Sequence, residues 1–178
     1  MKIAVCFSGT LRQFKTCYNT FKEHIVDANS YDIDVFVSTW NSKVNHFKKQ
    51  IADEGSFKEM LKLYNPIRVS RETYDQAKRI ELYKKSKMDR FQTVAQKFWK
   101  CIPKQHGKKD KCRFCGSNNI HNQIGQLYNI WNVNELKKEQ EESNGFKYDL
   151  VMRTRFDNYL IDSLTDSKAE LVSNGSVW

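Results

Sequence analysis

Proline is nearly missing from this chain, with two residues in 178, and glycine is sparse at seven. So few chain breakers exclude a Pro- or Gly-rich linker, and no internal repeat is visible. The expectation is one domain over residues 1–178. Long apolar runs are missing too. No segment is long or apolar enough to cross a membrane. The apolar stretch after Met1 ends within six residues and meets Arg12 without a cleavage pattern, so it does not read as a secretory signal. Acidic residues are the scarcer charge, 21 against 30 basic ones, for a formal net charge of +9. That excess suits an anionic partner. Much of it falls between Lys84 and Lys111, where a charged surface face explains it better than nucleic acid does. Two familiar phosphate-binding signatures are also absent. The turn Ser8-Gly9-Thr10 has a single glycine and no GK[ST], so it is neither GxGxxG nor a Walker loop, which counts against dinucleotide dehydrogenases and P-loop kinases.

What is present is enough apolar material for a core, 39% hydrophobic and 13% aromatic. Lys2–Phe7 is short, rich in β-formers and apolar on both faces, as a buried parallel strand is. Phe14, Cys17, Phe21 and Ile25 then recur at helical spacing. Residues 31–40, YDIDVFVSTW, read as a second strand. Ser56 is placed to cap a helix through Tyr64, which Asn65-Pro66 ends. Ile67–Ser70 is a short third strand, and residues 71–90 read as a helix fragment and a loop. Phe91, Val94, Ala95 and Phe98 mark one helix face. Asn118 or Asn119 caps a long helix whose apolar side is Ile120, Ile124, Leu127, Trp131 and Leu136, stopped at Gly145. Tyr148–Met152 is a fourth strand. Alternating strands and helices predict an α/β fold, a mostly parallel sheet covered on both faces.

In such a sheet, ligands collect at the carboxyl ends of the strands. Three of those ends are polar: Ser8-Gly9-Thr10 with Arg12, Ser38-Thr39-Trp40-Asn41, and Arg153 to Asp157. Backbone N–H groups and a helix start at the first turn suit phosphate oxygens. Arg12, Arg153 and Arg155 suit them through forked, charge-assisted hydrogen bonds, and Asp157 suits a divalent cation. The competing reading makes Gly9 a plain tight turn and the arginines ordinary partners of Asp157 or Asp149.

FSGTLRQF, DIDVFVSTW and above all NELKKEQEESNGFKYDLVMRTRFD resemble the small GT-A-type glycosyltransferases encoded by large DNA viruses of algae and protists. The similarity runs from Met1 to about Leu164 and is weakest between Arg71 and Asn118. The resemblance implies a GT-A-like (Rossmann-like) fold and transfer of sugar from a nucleoside-diphosphate sugar to a glycan or glycoprotein acceptor. It places the donor on Ser8, Gly9, Thr10, Arg12, Thr39, Trp40, Arg153, Arg155 and Asp157, with Arg155 and Asp157 carrying the chemistry. It also implies manganese or magnesium on a D-x-D motif after the last strand. Only the second aspartate of that motif has a counterpart, Asp157, and Arg155 stands where the first would be. Either Asp157 holds the cation alone, or the arginines carry the diphosphate without a tight metal site. Asp162 and Asp166 are further candidates by proximity in sequence. Enzymes of this type carry an acceptor-binding half after this strand, and only 21 residues follow Asp157. A fragment, a natural truncation and a donor-binding protein without transferase activity all fit that length.

Cysteine is the last informative residue. Five cysteines, an odd count without an export signal, point to a reducing, cytoplasmic compartment. Cys112-Arg113-Phe114-Cys115 is a C-x2-C half-site whose two thiolates suit adjacent corners of a tetrahedron. Cys101 and His121 complete a structural zinc site, with His106 as the alternate fourth ligand, in an insert over residues 101–121. Free thiols and a disulfide within the pair are the alternatives. Cys6 and Cys17 read as core residues. Two other functions compete with the glycosyltransferase: a sulfotransferase-like enzyme handling phosphate, and a zinc-stabilised nucleic-acid-binding module using Lys84 to Lys111. The basic stretch lacks a regular aromatic platform, which counts against nucleic acid.

Overall fold

The computed structural model describes residues 1–41, 54–73, 78, 81 and 120–165, the side chains of 120–124 excepted. Its elements in chain order are β1 (Lys2–Ser8), α1 (Phe14–Phe21), a π-helical turn (Lys22–Val26), β2 (Asp32–Trp40), α2 (Glu54–Tyr64), β3 (Arg68–Glu72), α3 (Ile120–Asn144) and β4 (Leu150–Thr154). The chain divides into two compact units, one of Met1–Thr73 with Asn129–Trp178 and one of Tyr74–Tyr128. In the second unit, Lys78 pairs with Glu81 at 3.7 Å and lies 4.8 Å from the ring centroid of Tyr128.

The first unit holds a four-stranded sheet in the order β3-β2-β1-β4. Every neighbouring pair is parallel. This is the α/β architecture that the alternating pattern predicts, with helices on both faces. Pleating sends alternate side chains to opposite sides. Ile3, Val5, Phe7, Val35 and Val37 join Phe14, Phe21, Ile25, Met60 and Tyr64 in the larger core, against α1 and α2. Ala4, Cys6 and Phe36 face Val133 and Leu136 of α3. Tyr64 Oη donates to the carbonyl of Phe14 at 2.8 Å, which ties the end of α2 to the start of α1. Burial pushes the Cys6 thiol up to about 11, so it is an inert core residue, and burial raises the Cys17 thiol as well.

Several boundaries move by one or two residues from the sequence reading. Ser56 lies inside α2 rather than at its cap, since the helix already includes Glu54. Asn65, at φ 41°, and Gly145, at φ 67°, supply the left-handed residues that end α2 and α3. The larger difference is in α3. Leu127 is 63% exposed and Trp131 is 55% exposed, while Asn129, Val133, Lys137 and Glu141 are buried. The side chains of Ile120 and Ile124 lie outside the described residues. No helix among the described residues is long and apolar enough to cross a membrane.

Candidate functional site

Because all four strands are parallel, the ends of β1, β2 and β4 lie along one edge of the sheet, β1 between the other two. Gly9 extends the β1–β2 ladder by one step, donating its N–H to the carbonyl of Ser38 at 3.0 Å. Its φ of 113° is a conformation that L side chains rarely adopt, and a methyl built there meets no atom within 4 Å. Gly9 is therefore fixed by backbone conformation, and the space beside it is open. The chain then turns tightly, with Arg12 N–H on the carbonyl of Thr10 at 2.8 Å. Gln13 follows at φ 50°, and no side chain caps the start of α1. A left-handed glutamine is a costly way to enter a helix. Its consequence is a helix start with uncapped N–H groups at the sheet edge.

At β4, Phe156 fixes the geometry. It is fully buried and stacks on Phe7 with centroids 5.1 Å apart, so its neighbours on either side point away from the core. Arg155 and Asp157 then meet in a forked pair, Nε to Oδ1 at 2.7 Å and Nη2 to Oδ2 at 2.8 Å. The Arg155 guanidinium holds the Asp157 carboxyl below its ordinary range, with burial opposing and Arg12 adding a smaller push in the same direction. Asp157 in turn raises the Arg155 pKa. Arg12 and Arg153 are exposed and form no ion pair among the described residues. Asp149 is engaged elsewhere: its carboxylate accepts the Lys2 backbone N–H at 2.6 Å, at the opposite edge of the sheet.

The pair bears on the expected cation. Both oxygens of Asp157 are taken by a guanidinium, and a second arginine adds to the positive field. A divalent ion would have to displace Arg155 while gaining one carboxylate. Among the described residues, no group of three or more His, Cys, Asp or Glu side chains could hold a metal ion. In this arrangement both Asp157 oxygens are shared with Arg155, so neither is open to a cation without rearrangement. Asp162 accepts the N–H of Ser163 at 2.9 Å, and Asp166 lies outside the described residues. So do Cys101, Cys112, Cys115 and the side chain of His121, together with the basic stretch from Lys84 to Lys111.

The remaining strand-end residues divide by depth. Ser8, Thr39 and Trp40 are buried, and Thr10 is half-buried. Among the described residues, Thr39 Oγ1 has no hydrogen-bond partner, and neither has Nδ2 of Asn129. Asn129 and Asn132 escape a reading by sequence, since asparagines on a helix carry no local signal of what they bond. Comparison with protein-family models, with curated proteins and with solved structures finds no match, so the functional reading rests on this geometry and on the sequence motifs.

Proposed function

We propose that this chain binds a nucleoside-diphosphate sugar at the carboxyl edge of its sheet, as the donor-binding domain of a glycosyltransferase acting on a glycan or glycoprotein acceptor. One observation carries the reading. Arg12 and Arg155 both act on Asp157 beside the uncapped start of α1, where Arg155 clamps the carboxylate, while Arg153, in register with Cys6, lies on the face that α3 covers. Such an arrangement favours an anion with several oxygens. The described residues leave the space next to Gly9 open at the scale of a methyl group.

Asp157 orients Arg155 in this reading and does not hold a cation. When the sugar–phosphate bond breaks, negative charge grows on the departing diphosphate. Fixed guanidinium groups stabilise that charge more than they stabilise the ground state, which is the condition for catalysis. The zinc expected on Cys101, Cys112, Cys115 and His121 would serve structure in a separate stretch of chain.

Calorimetric titration with UDP-glucose, with manganese and with chelator, tests the site. Losing a charge-assisted bond costs about 1.5–3 kcal/mol, roughly ten- to hundredfold in affinity. Arg155→Ala is expected to weaken binding by that factor in both conditions, and Arg12→Ala likewise. Asp157→Asn should weaken it less, equally with and without manganese. Unchanged affinity in both arginine variants sinks the donor site. Binding that collapses on chelation restores the cation at Asp157.

A further inference from the structure

A row of three serines crosses the sheet just inside its carboxyl edge. Ser8 on β1 is in register with Ser38 on β2, and Ser38 with Ser70 on β3. By the pleat they share the face that α3 covers, the face of Ala4, Cys6 and Phe36. Two asparagines one turn apart on α3 lie over the row. Asn132 Nδ2 donates to Ser70 Oγ at 2.7 Å and to Ser38 Oγ at 3.2 Å, with Glu72 Oε1 at 3.5 Å. Its amide hydrogens are thus committed. Asn129 accepts the Ser38 hydroxyl on Oδ1 at 3.0 Å. Its own Nδ2 has no partner among the described residues, although the residue is only 1% exposed.

A buried amide N–H left unmade is a cost that folded proteins rarely carry. Here Ser38 holds the Asn129 carboxamide in place, so the free N–H is fixed as well. The Ser8 hydroxyl lies on the neighbouring strand, in register with Ser38. The unmet Asn129 donor and the Ser8 hydroxyl, both neutral, belong to the row of serines near the carboxyl ends of β1 and β2. Glu72 beside Asn132 makes this row unsuited to a phosphate. The chemistry that completes it is an uncharged oxygen.

We propose that Asn129 is a specificity residue of the donor site, giving its free N–H to an uncharged oxygen of the nucleotide sugar, either a sugar hydroxyl or a base carbonyl, with Ser8 Oγ as the neighbouring contact. The proposal rests on the donor-site reading, and it divides the work between two groups. The arginines hold charge without regard to what is attached. Asn129 and Ser8 read the uncharged part.

The test titrates the full chain and its Asn129→Leu and Ser8→Ala variants with UDP-glucose, UDP and inorganic pyrophosphate, and records melting temperatures. A net hydrogen bond with its buried partner left unpaired corresponds to about tenfold in affinity. Asn129→Leu is expected to lose about tenfold for UDP-glucose while binding pyrophosphate as the unaltered chain does. A loss that persists with UDP assigns the contact to the nucleoside, and a loss confined to UDP-glucose assigns it to the hexose. Equal UDP-glucose affinity in the variant, whatever its melting temperature, overturns the proposal and leaves Asn129 bonded to an ordered water. A loss of pyrophosphate affinity as large as that of UDP-glucose also overturns it, because the effect is then not selective. If Asn129→Leu does not fold, Ser8→Ala decides by the same comparison. An unaltered chain that binds pyrophosphate but neither nucleotide defeats this proposal alone, whereas one that binds none of the three defeats the donor site itself.

Discussion

Glu141 shows how one residue settles where the long helix α3 and the strand β4 meet. Its side chain is 3% exposed and accepts Lys137 Nζ at 2.8 Å and Lys147 Nζ at 3.1 Å. The Tyr148 N–H adds a third bond at 3.2 Å. Burial alone would raise its pKa, yet the hydrogen bonds from Lys137, Lys147 and Tyr148 outweigh it and the net shift is downward. A carboxyl group with a lowered folded-state pKa adds stability that is present above its unfolded pKa and is lost as pH falls through the folded one. Removing one partner of a buried pair strands the other, Lys137, whose side chain is only 10% exposed. Glu141→Gln should therefore cost ~3 kcal/mol near neutral pH. The gap between the variant and the unaltered chain should close below about pH 4, where carboxylates protonate. Urea unfolding at a series of pH values checks this, and a gap independent of pH would mean that shape, not charge, makes the contact.

At the scale of elements, the strands were the legible part of the sequence. β1 and β2 are buried on both faces, so their apolar runs and polar ends mark them without further context. The face of α3 was not legible. Of the apolar series Ile120, Ile124, Leu127, Trp131 and Leu136, Leu136 packs on the core, but in the sheet unit the buried series is Asn129, Val133, Lys137 and Glu141. Three of those four are polar, and each has a partner: Ser38 for the Asn129 carbonyl oxygen, Glu141 for Lys137, and Lys137 and Lys147 for Glu141. Periodicity counts hydrophobicity and cannot see such partners. The same holds at the end of β4. Sequence left open whether Arg155 pairs with Asp157, and the answer depends on Phe156 turning into the aromatic core between them. A test follows for the helix. Val133→Ala, at a fully buried position, should destabilise by about 1–3 kcal/mol. Leu127→Ala, at a largely exposed one, should stay within about 0.5 kcal/mol. Thermal unfolding of the two variants compares them, and equal losses would return the buried face to the apolar series.

Across the whole molecule, the two proposed tasks fall on different stretches of the chain. Each residue of the proposed donor edge, from Ser8 to Arg12, Thr39 and Trp40, and Arg153 to Asp157, belongs to the unit that holds the sheet, as do Asn129 and Ser38. Cys101, Cys112, Cys115 and His121 belong in sequence to the stretch Tyr74–Tyr128. That stretch contains most of the basic excess, and its segment from Lys100 to Asn119 has few apolar residues to bury. A chain segment without a core of its own gains order from a metal, because binding free energy then acts as folding free energy. A C-x2-C pair with a further cysteine and a histidine has the ligand types of a closed, structural zinc site. Protein purified without added metal is expected to carry about one zinc per chain, as four ligands define one tetrahedral site. Cys112→Ser should lower the melting temperature and shed the metal, while UDP-glucose affinity stays unchanged, because no residue of the donor edge is touched. Elemental analysis, thiol titration and calorimetry on the same preparation read all three quantities. Zinc far below one per chain, with the thiols of Cys101, Cys112 and Cys115 all free to react, removes the metal site. A variant that sheds zinc and loses donor affinity together would instead make the metal part of the binding machinery and end the division of tasks.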